Sequence, residues 1–518
     1  MKKYLHYLAC CLLLWSCQKN IERNRAVDHA EKIMPVDSIN AFIASEIAKT
    51  GQFEWKTASD RMLWSALAHS DYIVSLGYRE TVPASRTMLM PSPASTLNAS
   101  QSDTPETQPI KEQLLDLIFL LEQKIDPALT REMIEIWPEP ILPVLNVRLT
   151  SYENMLQLRY SAFVRYLEPM NYESHLYQPA TQRQSGCEAN LPDPTLRAGW
   201  DYGVVSPFAK ASWNYPYHGL LDAWRVASGT GISVFLIDTG IGYQQENLGD
   251  QFNQGLSQKR RIERVVTLPR RQLFGIINLG PVETPEDQCG HGTAMAGVLA
   301  APRGTDGNMA GVAYNTNLIA CRAAEDVFID AAREVRGVSD AFVMAANRKE
   351  VKVISMSMGR ITVSSQLRDA IQYAYNKGKL IFCAAGTSMS FTSGWAGVIF
   401  PATMSEVQAV TGVREGGVLT ACTACHSGPQ VDFVVVMERT VDKKHPLTVA
   451  DRGDIPSTIG GSSVATATMA GMAALVWSRF PWFTAAQLLD RLEQHSTNFP
   501  NRHSQYGWGL VQPAQAVY

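Results

Sequence analysis

GGSSVATATMAGMAALVW, residues 460–477, has the spacing of a helix with almost no polar face. Ala465, Ala467, Ala470, Gly471, Ala473 and Ala474 offer only small apolar surface, so a helix here must be buried all round. A serine near a helix start is ordinarily an N-cap, and Ser463 taken alone reads as one. Burial changes that reading. The amino end of a buried helix points into the fold, where backbone N–H groups and the positive dipole end converge beside Ser463 and suit a developing oxyanion.

Upstream of this helix, from about Gly199, short and nearly continuous apolar runs alternate with helical patterns: GISVFLID (231–238), NLIACRA (317–323), VKVISMSM (351–358), KLIFCAA (379–385) and VQAVTGV (407–413). Runs of this kind, separated by helices, indicate an α/β fold with a parallel sheet covered on both faces. Reactive side chains are then expected at the carboxyl ends of the strands. Asp238 closes the first run in VFLIDTGIG, where it is partly desolvated and needs partners. His291 lies between Gly290 and Gly292 in CGHGTAMAGVLAA, just before a helix, and the two glycines allow close approach to its ring. Each station alone has an ordinary explanation, a strand-end carboxylate or a solvated loop histidine.

Taken together, LIDTG around Asp238, GHGTAMAG around His291 and GSSVATATMAG around Ser463 stand in the order Asp, His, Ser. That order resembles the subtilisin-like serine proteases, the subtilase (peptidase S8) family. MAGVAYNTNLIACRA, VISMSMG, FPAT and the closing YGWGLVQPAQAV extend the resemblance over residues 199 to 518. It implies a three-layer α/β fold with a mainly parallel sheet, and a serine endopeptidase. Ser463 is then the nucleophile, His291 the general base and acid, and Asp238 the group that orients the imidazole. The resemblance also implies that Ser357, Met358 and Gly359, with Ala384, Ala385 and Gly386, flank the cleft, where their exposed backbone adds a substrate peptide as a strand.

LIFCAAGTSMS (380–390) departs from the family, which has Asn after AAG where this chain has Thr387. That asparagine donates to the tetrahedral oxyanion, and losing one such donor in a subtilisin costs about 10²- to 10³-fold in kcat. Thr387 retains a hydroxyl, shorter in reach and stiff at χ1, so a weakened protease is expected. The alternative is a peptide-binding or adaptor protein of low or no activity. Arg360 stands where a small residue is common, and is expected to narrow the cleft or favour acidic substrate positions. A polar insertion from about Glu438 to Ser457 replaces the usual APG after the VDF strand.

The chain has 518 residues, 46% hydrophobic and 18% charged, with net charge −3. Length allows roughly two to four domains, and the charge supplies no field to recruit nucleic acid or anionic lipid. At the amino end, Lys2 and Lys3 precede an apolar run from Leu8 to Trp15, a secretory leader too short to span a bilayer. Its end, LLWSC, resembles the bacterial lipobox and implies lipid attachment at Cys17; an ordinary signal-peptidase cut is the alternative. The expectation is an exported protein, lipid-anchored in the cell envelope at the outer membrane. Residues 1–17 are thus the signal peptide, 18–82 a helical region and 83–109 a Pro-, Ser- and Thr-rich flexible linker. An α/β module at 110–195 and the peptidase domain at 196–518 follow. Within the module, VLNVRL, YENMLQLR and FVRYLEP read as strand, helix, strand. This unit resembles the second half of a subtilisin-type propeptide, which implies masking of the cleft until a cut between Pro169 and Asp201; a permanent accessory module is the other reading.

Nine cysteines are present, and six lie beyond the leader: Cys187, Cys289, Cys321, Cys383, Cys422 and Cys425. An oxidising compartment favours pairing, but the sequence does not choose partners. Cys289 reads as a disulfide anchor or a buried thiol, and Cys321 and Cys383 as inert core residues. CTACH (422–426) matches the pattern for covalent haem attachment, although a disulfide suits its position better. No cofactor or metal is implied, and use of a structural calcium ion is not legible.

Overall fold

The computed structural model describes residues 33–79, 109–174, 186–187, 190–273, 277–387 and 397–518. The leader with Cys17 and nearly all of the 83–109 linker lie outside these. The chain divides into two compact units, one essentially up to Tyr172 and one from Glu173 to Tyr518.

In the first unit, strands β1 (Ile73–Tyr78), β2 (Val144–Arg148) and β3 (Val164–Pro169) form an antiparallel sheet in the order β2-β1-β3. Leu76 faces Leu145 on one side and Leu167 on the other. Helices α1 (Asp60–Ala68), α2 (Ile110–Gln123) and α3 (Tyr152–Arg159) belong to the same unit. Ser59 and Ser151 cap α1 and α3 by accepting from Met62 N and Asn154 N. The strand, helix, strand pattern of residues 144–169 forms as its periodicity predicts. One element differs from expectation: IVSLGY, placed by the sequence in a helical stretch, is the central strand. A six-residue apolar run carries no periodicity to separate strand from helix, and pairing on both edges settles it.

The second unit is built on seven parallel strands: β4 (Ser233–Asp238), β5 (Ile262–Val266), β6 (Asn317–Arg322), β7 (Val351–Met356), β8 (Leu380–Ala384), β9 (Gln408–Arg414) and β10 (Val431–Glu438). Their order is β10-β9-β8-β7-β4-β6-β5. Helices α4 (His291–Ala300), α5 (Ala332–Asn347), α6 (Ser365–Asn376), α7 (Ser462–Trp477) and α8 (Ala485–Gln494) complete the layers. Val234 and Leu236 of β4 join one core with Ala294, Val298, Ala465, Met469 and Met472. Phe235 and Ile237, alternating with them, are buried on the opposite face. The order in which the chain adds strands reverses around β4, which has β6 on one side and β7 on the other, so the crevice beyond their carboxyl ends is where a ligand site belongs.

Every residue of α7 except Ser463 is buried, which accounts for its run of small side chains. Gly471 lets the helix touch Val312, where a methyl group would collide. The strand the sequence does not announce is β5, IERVV. It lies at the sheet edge with each residue only half buried, so charged Glu263 and Arg264 are tolerated and the apolar run is broken.

Candidate active site

Asp238 ends β4 and is buried. Its Oδ1 lies 2.7 Å from Nδ1 of His291 and also accepts the Thr239 backbone N–H at 2.8 Å. Oδ2 is buried with no hydrogen-bond partner among the described residues. His291 is the first residue of α4, behind Gly290 in the left-handed conformation. Contact with Asp238 fixes the tautomer, because Nδ1–H must donate to the carboxylate and Nε2 is left as the basic nitrogen. Burial alone would lower the imidazole pKa; the charge and hydrogen bond of Asp238, aided by Asp287 and Asp326, outweigh it and raise the pKa above the usual histidine value.

Asp287 holds the start of α4 in place. Its Oδ1 accepts the backbone N–H of Cys289 and Gly290 at 2.9 and 2.8 Å, and its Oδ2 accepts the Thr293 N–H at 2.8 Å and hydroxyl at 2.6 Å. Thr239 Oγ1 donates to Asp287 at 2.9 Å and accepts from the Gly292 N–H at 2.9 Å, which joins the end of β4 to the first turn of α4. These are the orphan donors of a helix start, satisfied by one carboxylate and one hydroxyl. A disulfide, Cys187–Cys289, and a hydrogen bond from Asn190 Nδ2 to Gly290 O at 2.9 Å brace the same loop from the amino-terminal side.

Ser463 is not the N-cap of α7. The cap is Gly461, at φ 91°, a left-handed-side value that disfavours any side chain; a Cβ there would also stand 3.1 Å from Thr387 Oγ1. Ser463 Oγ donates to Ser357 O at 3.2 Å, while Ser357 Oγ donates to Ser463 O at 2.8 Å. Asp238 and His291 are therefore joined directly, and no hydrogen bond links Ser463 to His291 among the described residues. Thr387 Oγ1 accepts the Ser462 N–H at 3.3 Å and lies 2.9 Å from Ser462 Oγ.

CTACH packs directly behind Thr387. Cys422 and Cys425 are joined to each other, which leaves no thiol there for a haem. Cys425 bridges to Thr387 across a short antiparallel contact, and the His426 N–H donates to Gly386 O at 3.0 Å. Burial pushes the His426 pKa down to about 4. Cys321 and Cys383 are buried free thiols; burial pushes Cys321 up to about 12 and Cys383 well upward. Both are unreactive core residues.

A cleft of about 430 Å³ gathers these stations; His291, Thr387 and Ser463 line it, with Ser357, Met358, Gly359, Ala384 and Gly386. Ala385 does not. Its N–H donates to Val410 O and its carbonyl accepts from Ile399 N, so it belongs to the scaffold. Gly359 lines the cleft, but its backbone is not exposed for strand addition as expected: Gly359 N donates to Val327 O at 3.2 Å and Ile329 N donates to Gly359 O at 3.0 Å. Arg360 does not reach the cleft. Its side chain, 2% exposed, forms an ion pair with fully buried Glu173, whose carboxylate also accepts from the Thr362 hydroxyl and the Ile361 N–H. The 438–457 insertion is polar on either side of a buried centre. Pro446 to Ala450 are buried, and Thr448 Oγ1 donates to Ala294 O of α4 at 2.7 Å. Before it, the insertion carries His445 to the cleft wall, against Gly460, where a Cβ would overlap the imidazole.

Asp287, Asn190, His445 and the Val327–Ile329 segment escaped the sequence reading. Only Asp287 left a signal there, an acidic residue four positions before His291 at a helix start.

The sequence model of the subtilase family (Peptidase_S8) matches residues 229–509. The chain is 32% identical over 231 residues to the thermostable alkaline protease of Halalkalibacterium halodurans, covering 45% of this chain and 58% of that protein. It is 26% identical over 326 residues to the thermophilic serine proteinase of Bacillus sp. strain AK1, covering 63% and 69%. The crystal structure of MycP1 from Mycobacterium smegmatis aligns at 22% identity with a TM-score of 0.46, over 65% of this chain and 89% of that one. The family match takes in more than half of the chain, and every strand end and helix start that lines the cleft from His291 to Ser463 falls inside it; the chain belongs to the subtilase family.

Proposed function

We propose that the chain is a serine endopeptidase acting on peptide or protein substrates through Asp238, His291 and Ser463. The observation that carries the reading is the 2.7 Å contact of Asp238 Oδ1 with His291 Nδ1, in a cleft that Ser463 also lines. In this reading Ser463 exchanges its bond to the Ser357 carbonyl for one to Nε2 of His291, which takes the hydroxyl proton as Oγ attacks the peptide carbonyl. The imidazolium then protonates the leaving amine as the C–N bond breaks. Water repeats the sequence on the acyl-enzyme.

The Ser463 N–H and the Thr387 hydroxyl stabilise the oxyanion. If Ser462 gives both its N–H and its O–H to Thr387 Oγ1, the lone pairs of that oxygen are filled and its own proton is free for the cleft. A second reading, a peptide-binding protein without turnover, draws support from the bond between Ser463 and Ser357, which holds the hydroxyl away from His291.

A fluorophosphonate probe separates the two. The parent should label and the Ser463→Ala variant should not, while Thr387→Val should lower kcat by about 10²-fold with little change in KM. A folded parent that resists the probe leaves the binding reading standing. Valine at 387 with undiminished turnover removes Thr387 from the oxyanion site.

A further inference from the structure

We infer that Val327–Ile329 is a built-in strand occupying the place of the substrate's acyl-side chain, so that the enzyme reads only the one or two residues next to the scissile bond on that side. The inference rests on the peptidase reading. An extended peptide gains affinity at a strand edge through the N–H and C=O of alternate residues of that edge. Beyond Ser357 and Met358 the residue that would offer both is Gly359, and both of its groups are consumed, by Val327 O at 3.2 Å and Ile329 N at 3.0 Å in a parallel pairing of Phe328 with Gly359. The N–H of the next residue is taken as well, because Arg360 N donates to Phe400 O at 2.9 Å.

The segment is held at both ends. A single buried carboxylate, Glu334 near the start of α5, accepts the N–H of Glu325 at 2.9 Å on one side and those of Asp330 and Ala331 at 3.1 and 3.2 Å on the other. Asp326 Oδ1 accepts the Phe328 N–H at 2.7 Å inside the loop. Val327 and Phe328 contribute to the cleft wall, while Ile329 is wholly buried beneath. Displacing the strand would break two main-chain hydrogen bonds and pull apolar side chains into water, so a substrate is better read without it. The substrate class that follows is a peptide bond recognised over a short acyl side, with the leaving side unrestricted by this strand.

A length series tests this. N-acetyl peptide p-nitroanilides of one, two and four residues, sharing the residue at the scissile bond, are assayed with the full chain alongside fluorophosphonate labelling. Each added main-chain hydrogen bond is worth about two- to tenfold in kcat/KM. The parent should gain at most about twofold from two residues to four, less than a pair of such bonds would give. In Ile329→Pro, which deletes the N–H donated to Gly359, the ratio of four-residue to two-residue kcat/KM should rise about tenfold. A parent that already gains tenfold or more overturns the inference, whatever the variant does. A folded parent that neither labels nor cleaves any of the three overturns the peptidase reading and this inference with it.

Discussion

His291 is buried beside Asp238, and the charges of Asp287 and Asp326 add to that of Asp238 in holding the proton on the ring. In the proposed mechanism the ring is the general base and must be neutral, so turnover should fall on the acid side as the pH drops through this raised pKa. Stability runs the other way. A histidine with a raised folded pKa contributes stabilisation that is complete below its unfolded value and is lost as the pH rises through the folded one. Asp287→Asn keeps the shape of the helix start but removes a negative charge that raises the His291 pKa, so the acid limb of kcat/KM should move to lower pH. A variant that only lowers the melting temperature, with the limb unmoved, would make Asp287 structural alone. Asp238, His291 and Ser463 were legible because each sits in a local motif, a strand end or a helix start. Arg360 was misread for the complementary reason: its partner Glu173 is 187 residues away in the sequence and nothing local announces it.

At the scale of elements, the ion pair of Glu173 with Arg360 pins the chain entering the second unit to the loop that follows β7. Removing one partner of a buried pair strands the other, at a cost of about 3–5 kcal/mol. Glu173→Ala should therefore lower the unfolding free energy by that amount, read as a lower denaturant midpoint with an unchanged slope. A loss below about 1 kcal/mol would mean that water reaches Arg360 and the pair is not truly buried. The sheet was legible wherever both faces are covered, since β4 and β6 to β9 read as apolar runs. It was not legible at β5, whose half-exposed edge admits charge, nor at β1, whose six residues are too few to show a period. The pairing of Gly359 with Val327 and Ile329 was likewise invisible, because it joins two loops whose sequences carry no signal for each other.

At the scale of the whole molecule, the amino end outside the described residues carries its own proposal, export and lipid attachment at Cys17. Cys17→Ala should move the protein from the membrane to the soluble fraction and abolish incorporation of labelled fatty acid; an unlabelled parent refutes it. Within the described residues no helix is long and apolar enough to cross a membrane. The Cys187–Cys289 bridge closes a loop of 102 residues, for which chain entropy alone gives about 4–5 kcal/mol. It also divides the stretch between Pro169 and Asp201 into two zones with different covalent outcomes. A cut before Cys187 yields two separate polypeptides, and the upstream piece runs alone on a denaturing gel with or without thiol. A cut after it leaves that piece hanging from the downstream chain by a sulfur–sulfur tether, visible as a second band only when reductant is added. Maturation on the far side of Cys187 would thus turn release of the amino-terminal piece into a reductive event rather than a proteolytic one.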